Sequence, residues 1–121
     1  MIYHITNTQG FKSLMLTGSY KPELFSQDGF VHCSFRNQVT QTANRYFVTQ
    51  DKLILFEINE ISLSNYLKIE NLEGGKDLFP HIYSSIPVES INQIAFLGKT
   101  KNGFELPTTW YSPFEFSNMV K

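Results

Sequence analysis

The sequence predicts a single α+β domain, with two main helices in its N-terminal half and small mixed or antiparallel sheets. Three observations carry this. Helical apolar spacing marks two early segments, Phe11/Leu14/Met15 and Val39/Ala43/Tyr46/Phe47, whereas strand-like apolar runs dominate after residue 50. The helices come early and many strands follow without further helices between them, which argues for α+β rather than a repeating βαβ unit. The chain has 121 residues, 41% of them hydrophobic and 15% aromatic, enough for one packed core but not for two.

The elements follow in order. Residues 2–6, Ile-Tyr-His-Ile-Thr, read as a strand with Tyr3 and Ile5 on one side and Ile2, His4 and Thr6 on the other. Asn7 or Thr8 caps a helix carrying Phe11, Leu14 and Met15, which stops at Gly18. Residues 19–29 form a loop with one turn after Pro22. A short strand, 30–34, follows the Asp28-Gly29 turn signal. Ser34 is placed to cap a second helix, residues 35–48, with Val39, Ala43, Tyr46 and Phe47 on its apolar side. Residues 52–59 are apolar up to Glu57 and read as a central strand covered on both faces.

Residues 66–70 form a further strand with Leu67 and Ile69 inward, and 71–78 a polar loop. Residues 79–85 are extended, with Pro80 marking an edge or an irregular entry. Residues 87–90 form a helical turn, 91–98 a last long strand, and Asn102-Gly103 a hairpin. The tail from Leu106 reads as irregular chain that packs back through Trp110, Tyr111, Phe114 and Phe116.

The formal net charge of −1 offers no strong field for nucleic acid or anionic membrane, so the charge does not indicate RNA. The lone Cys33 cannot form an internal disulfide, and the N-terminus lacks the basic and apolar regions of a signal peptide. No apolar run approaches the roughly 18 residues of a membrane span. A cytoplasmic chain is therefore expected.

The chain has three histidines, His4, His32 and His81, each inside a short predicted strand. Period-two alternation gives each imidazole a face shared with one apolar residue and one hydroxyl. His4 goes with Ile2 and Thr6, His32 with Phe30 and Ser34, and His81 with Phe79 and Tyr83. Three such strands side by side would line a cleft with apolar walls and a few polar groups, the usual form of a small-ligand site. Each histidine taken alone also reads as a hydrogen-bonded, half-buried residue. Three histidines can bind zinc, but no paired HxH or HExxH spacing is present, so no metal is expected. Cys33 alternates away from His32 and reads as a small core residue. There is no GxGxxG, P-loop or GxSxG pattern, and Leu72–Asp77 is too short and acidic for a phosphate loop.

The blocks IYHIT, GSYKP, DGFVHCS, ANRYF, LILFEIN, IEN and FPHIYSSIP resemble, in that order, the bacterial domain-of-unknown-function 952 family. The likeness runs from Ile2 to about Leu97, and Gly98–Lys121 extends beyond it, so the resemblance implies a family domain at 1–97 and a C-terminal extension at 98–121 packed on the same domain. Ser84 stands where the pattern leads one to expect glycine. The resemblance implies a fold similar to that of the ADP-ribosyltransferases: two small facing sheets with a cleft that holds NAD, and one signature polar residue on each of three strands. It implies His4, His32, and His81 with Tyr83 at those places. The glutamate of the toxin-like branch has no clear counterpart, and the histidine-rich RNA 2′-phosphotransferase branch is the nearer likeness.

Cleaving the nicotinamide–ribose bond develops oxocarbenium character, which a carboxylate stabilises. Glu70, sharing a strand face with Tyr66 and Lys68, is the first candidate and Glu57 the second. Ser34 and Arg45 would hold polar or phosphate oxygens, and Phe30 and Phe79 would wall a flat base. Two function classes follow. One is an ADP-ribosyltransferase-like enzyme acting on NAD, or on an ADP-ribosyl or phosphorylated nucleotide. The other is a non-catalytic module binding a nucleotide or metabolite in the same cleft.

Overall fold

The computed structural model describes residues 1–72 and 74–120. Its chain order is β1 (Ile2–Thr6), α1 (Thr8–Thr17), β2 (Ser19–Tyr20), α2 (Phe25–Asp28), β3 (Val31–His32), α3 (Val39–Tyr46), β4 (Lys52–Ile58), β5 (Leu67–Glu70), β6 (Phe79–Ile82), β7 (Ile86–Pro87), β8 (Ile91–Thr100), β9 (Gly103–Phe104) and α4 (Pro113–Ser117). The 3-10 segments at 36–38, 60–66 (kinked at Leu63) and 88–90 join them. Among the described residues every strand pair is antiparallel. The α+β class holds, and no parallel pair makes the sheets mixed.

The strands form a four-stranded sheet, β1-β4-β8-β9, a three-stranded sheet, β3-β6-β5, and a β2-β7 pair. The first two are stitched together just beyond β3, where Tyr3 and Ser34 exchange backbone hydrogen bonds of 2.9 and 2.8 Å. This junction curls the second sheet over the first. β4 lies between β1 and β8, and its side chains alternate between the two faces of the sheet, each covered by an apolar cluster of the one domain. Ile54, Phe56 and Ile58 join Ile2, Phe11, Leu14, Val31, Ile82, Ile94 and Phe116 on one side. Leu53 and Leu55 join Tyr3, Ile5, Val39, Ala43, Leu97 and Phe104 on the other. A strand covered on both faces has no polar face to spare, which is why its sequence is nearly all apolar.

Several expectations need correction. β3 spans only two residues rather than 30–34: Phe30 precedes the ladder, Cys33 N–H keeps one bond to Pro80 of β6, and Ser34 turns to bond Tyr3 of β1. Ser34 does not cap α3. A 3-10 turn intervenes, the Gln38 side chain accepts from Phe35 N–H at 3.0 Å, and the Ser34 hydroxyl meets Thr42 Oγ1 at 3.3 Å. Ile69 is half exposed rather than inward, because β5 is the outer strand of its sheet and nothing covers that end. The tail is not wholly irregular: Ser112 caps α4, accepting from Glu115 N–H while the Glu115 side chain accepts from Ser112 N–H, and Pro113 sits at the first helical position. The loop read at 71–78 includes Glu73, which lies outside the described residues.

Candidate functional site

The three-stranded sheet sets the parity of the site. His32 pairs with His81, Lys68 with His81, and Glu70 with Phe79. Directly paired residues project to the same side of an antiparallel sheet. His32, His81, Phe79, Lys68 and Glu70 therefore share one face, with Phe30 and Tyr83 on the same parity beyond the ladder. Val31 and Ile82 turn to the core on the other.

His81 is buried and tightly held. Its Nδ1 lies 2.9 Å from Glu70 Oε1, and the Tyr83 hydroxyl donates to the same oxygen. The Phe30 ring stacks on the imidazole, centroids 4.2 Å apart and planes within 25°. Donation by the Tyr83 hydroxyl, then by His81, holds the Glu70 carboxyl below its ordinary range, with Lys68 adding to the effect. The same carboxylate pushes the Tyr83 hydroxyl up. A carboxylate accepts only, so His81 Nδ1 donates its proton to Glu70 and Nε2 is the nitrogen left outside that bond.

His4 has a different character. Its Nδ1 lies 2.6 Å from the His32 carbonyl oxygen and must donate to it. Its Nε2 lies 2.7 Å from Tyr20 Oη, which lies 3.1 Å from Thr6 Oγ1. Burial lowers the imidazole to about 4 and pushes Tyr20 up to about 12. At neutral pH His4 is thus an uncharged, fully bonded strut. Gly10 makes room for it: a Cβ there would fall 2.1 Å from Thr6 Oγ1 and 3.0 Å from Tyr20 Cε1.

Between β1, the 20–28 segment, β3 and α3 lies a cleft of about 500 Å³. It takes in His4, Thr6, Tyr20, Asp28, His32, Ser34, Thr42, Tyr46, Phe47, Phe79 and His81. The volume is in the range of small-ligand sites. The structure therefore brings His4, His32, His81, Ser34 and Phe79 to one cavity. Tyr83, Phe30 and Glu70 stand outside its lining; Phe30 and Glu70 contact His81, and Tyr83 contacts Phe30 and Glu70. Arg45 lines a smaller neighbouring hollow with Lys76 and Asn71. Glu57 accepts from Tyr3 and Gln93 and does not line the cleft.

The sequence reading missed several lining residues. Asp28, read only as a turn residue, places Oδ2 3.1 Å from His32 Nε2. Gly29, at φ +78, reverses the chain between them, and the i, i+4 spacing of an acid and a histidine across a turn was the available signal. Glu23, Tyr20 and Thr42 also line the cleft, as does Cys33, whose thiol burial pushes far up. Among the described residues no group of three or more His, Cys, Asp or Glu is arranged to hold a metal ion, and no helix is long and apolar enough to cross a membrane.

Comparison with solved structures finds protein CC0527 from Caulobacter crescentus. Its crystal structure has a TM-score of 0.76 at 29% identity, over 85% of this chain and 90% of that one. Its solution NMR structure has a TM-score of 0.74 at 29% identity, over 85% and 89%. No curated protein matches the chain. Residues 5–94 match the family described as "Protein of unknown function (DUF952)", and with three-quarters of its length so matched the chain belongs to that family.

Proposed function

We propose that this chain is an ADP-ribosyltransferase-like protein whose cleft takes NAD, or an ADP-ribosyl or phosphorylated nucleotide. The observation that carries the reading is His81: Glu70 holds its Nδ1 proton, and its second nitrogen remains for a cleft ligand beside His32. An imidazole so oriented by a carboxylate is the usual form of a general base. Phe79, Tyr46 and Phe47 supply aromatic surface for a flat base, and Ser34, Thr42 and Thr6 supply hydroxyls for ribose or phosphate oxygens. Arg45 and Lys76 in the adjoining hollow suit a phosphate. A single buried cysteine suits a cytoplasmic bacterial protein.

A non-catalytic nucleotide- or metabolite-binding module is the second reading, and one observation favours it. Glu70, the carboxylate best suited by sequence to stabilise an oxocarbenium, stands behind His81 rather than in the cleft wall. A panel of NAD, ADP-ribose and nucleotide phosphates in thermal unfolding tests both. Ligand at a hundredfold excess over Kd adds about 2.7 kcal/mol, several degrees for a domain of this size. His32→Ala should abolish most of the shift with the fold intact. An enzyme will also release nicotinamide or phosphate. No shift with any nucleotide at millimolar concentration would refute both nucleotide readings.

A further inference from the structure

His32 and His81 stand directly opposite in the β3–β6 register, ring centroids 5.3 Å apart and planes at 73°. Each has a carboxylate of its own, on a different ring nitrogen: Asp28 on Nε2 of His32, Glu70 on Nδ1 of His81. Among the described residues each imidazole thus keeps one nitrogen outside these bonds, and both rings line the cleft. Phe30 touches both, at 4.6 Å from His32 and 4.2 Å from His81, and fixes their planes. The His32 side chain is half exposed, open to proton exchange with water, while that of His81 is buried.

Two oriented imidazoles suit a reaction that removes one proton and supplies another. Nicotinamide leaves NAD as a neutral base and needs no acid, so NAD would leave one imidazole idle. A ribose phosphate ester expels an alkoxide, which needs a proton. A cyclic ester needs only water as its partner, and a cleft of about 500 Å³ suits one nucleotide. Resting on the nucleotide reading of the cleft, we infer that His81 and His32 are the base and acid of one pair that hydrolyses a ribonucleoside 2′,3′-cyclic phosphate, with Asp28 as the positioning residue of His32. His81 Nε2 takes a proton from water as the water oxygen bonds phosphorus. The bond from phosphorus to one ribose oxygen breaks, and that oxygen takes the proton of His32 Nδ1. The product is a nucleoside monophosphate, and proton exchange with solvent resets the pair.

The test is incubation of the full chain with 2′,3′-cyclic AMP, following AMP by phosphorus NMR across pH. Hydrolysis with a bell-shaped profile is expected, rising as the base is freed and falling as the acid is lost. The charged and titratable groups around the pair are Asp28, Glu70, Glu23, His4, Lys68 and Tyr83. His32→Ala and His81→Ala should each lower kcat by about 100-fold or more. Asp28→Asn should lower kcat by about tenfold with KM unchanged, and Asp28→Glu should recover most of it. His32 and Asp28 are surface-accessible, so their variants report even if His81→Ala fails to fold. Full activity in His32→Ala overturns the pair, and equal KM and kcat in Asp28→Asn and wild type overturns the role of Asp28. No hydrolysis in protein that still gains stability from nucleotides overturns the inference alone. No hydrolysis and no thermal shift overturns it together with the nucleotide reading.

Discussion

Glu70 and His81 are joined at 2.9 Å across adjacent strands, and the Tyr83 hydroxyl converges on the same carboxylate oxygen. The diagonal placement of Glu70 and His81 on one sheet face makes this contact possible. Because the Tyr83 hydroxyl is pushed up chiefly by donation to Glu70, removing the negative charge should bring it back toward 10.0. Glu70→Gln should therefore show one tyrosine ionising at lower pH than in wild type, read by tyrosinate absorbance. Identical tyrosine titrations in the two proteins would contradict the assignment.

His4 makes stability depend on mild acid. Unfolded, it binds a proton near 6.5; folded, burial lowers it to about 4. The unfolded state then holds more protons between these values, so stability present above pH 6.5 is lost as pH falls and levels off below about 4. The loss reaches roughly 3 kcal/mol. Glu70 and Glu60, depressed from 4.5, add their losses at lower pH, so the upper part of the window belongs to His4 among the shifted groups. Urea midpoints at pH 7 and pH 5 should differ less in His4→Gln than in wild type.

Gly10→Ala should destabilise, although alanine is the better helix former by up to about 1 kcal/mol. The new methyl would strike Thr6 Oγ1 at 2.1 Å, on the strut that holds His4. A net cost of about 1–3 kcal/mol is expected from overpacking, measured by chemical denaturation. A more stable variant would mean that Thr6 and Tyr20 yield easily.

Cys33 should resist alkylation in the native protein. Burial pushes its thiol far up, so little nucleophilic thiolate forms. Labelling should be slow until denaturant unfolds the chain. Labelling at the rate of a free thiol would show that the cleft side of Cys33 opens readily.

Phe116 anchors the tail. It is fully buried, with ring centroids 4.9 Å from Phe11 and 4.6 Å from Phe96. Phe116→Ala should cost about 3–5 kcal/mol in equilibrium unfolding. A cost below about 1 kcal/mol would mean that the tail contributes little to the core.

The sequence by itself determined what backbone geometry repeats locally. Period-two alternation placed Phe30, His32, Phe79, His81, Tyr83 and Glu70 on like faces of their strands, and the register puts His32, Phe79, His81 and Glu70 on one sheet face. The continuous apolar run of 52–58 marked the central strand, since only burial on both faces tolerates it. The Ser112–Pro113–Glu115 cap was equally legible and went unread. What only the tertiary structure decided is which faces meet. Nothing local says that β3 pairs with β6 rather than β1, because pairing is settled by burying apolar surface between segments distant in sequence. That choice sets His32 opposite His81, brings Tyr20 to His4, and leaves Glu70 behind His81 instead of in the cleft. Asp28 joined the site for the same reason: Gly29 turns the chain back, but only the packed sheet gives the returning strand a histidine partner to face.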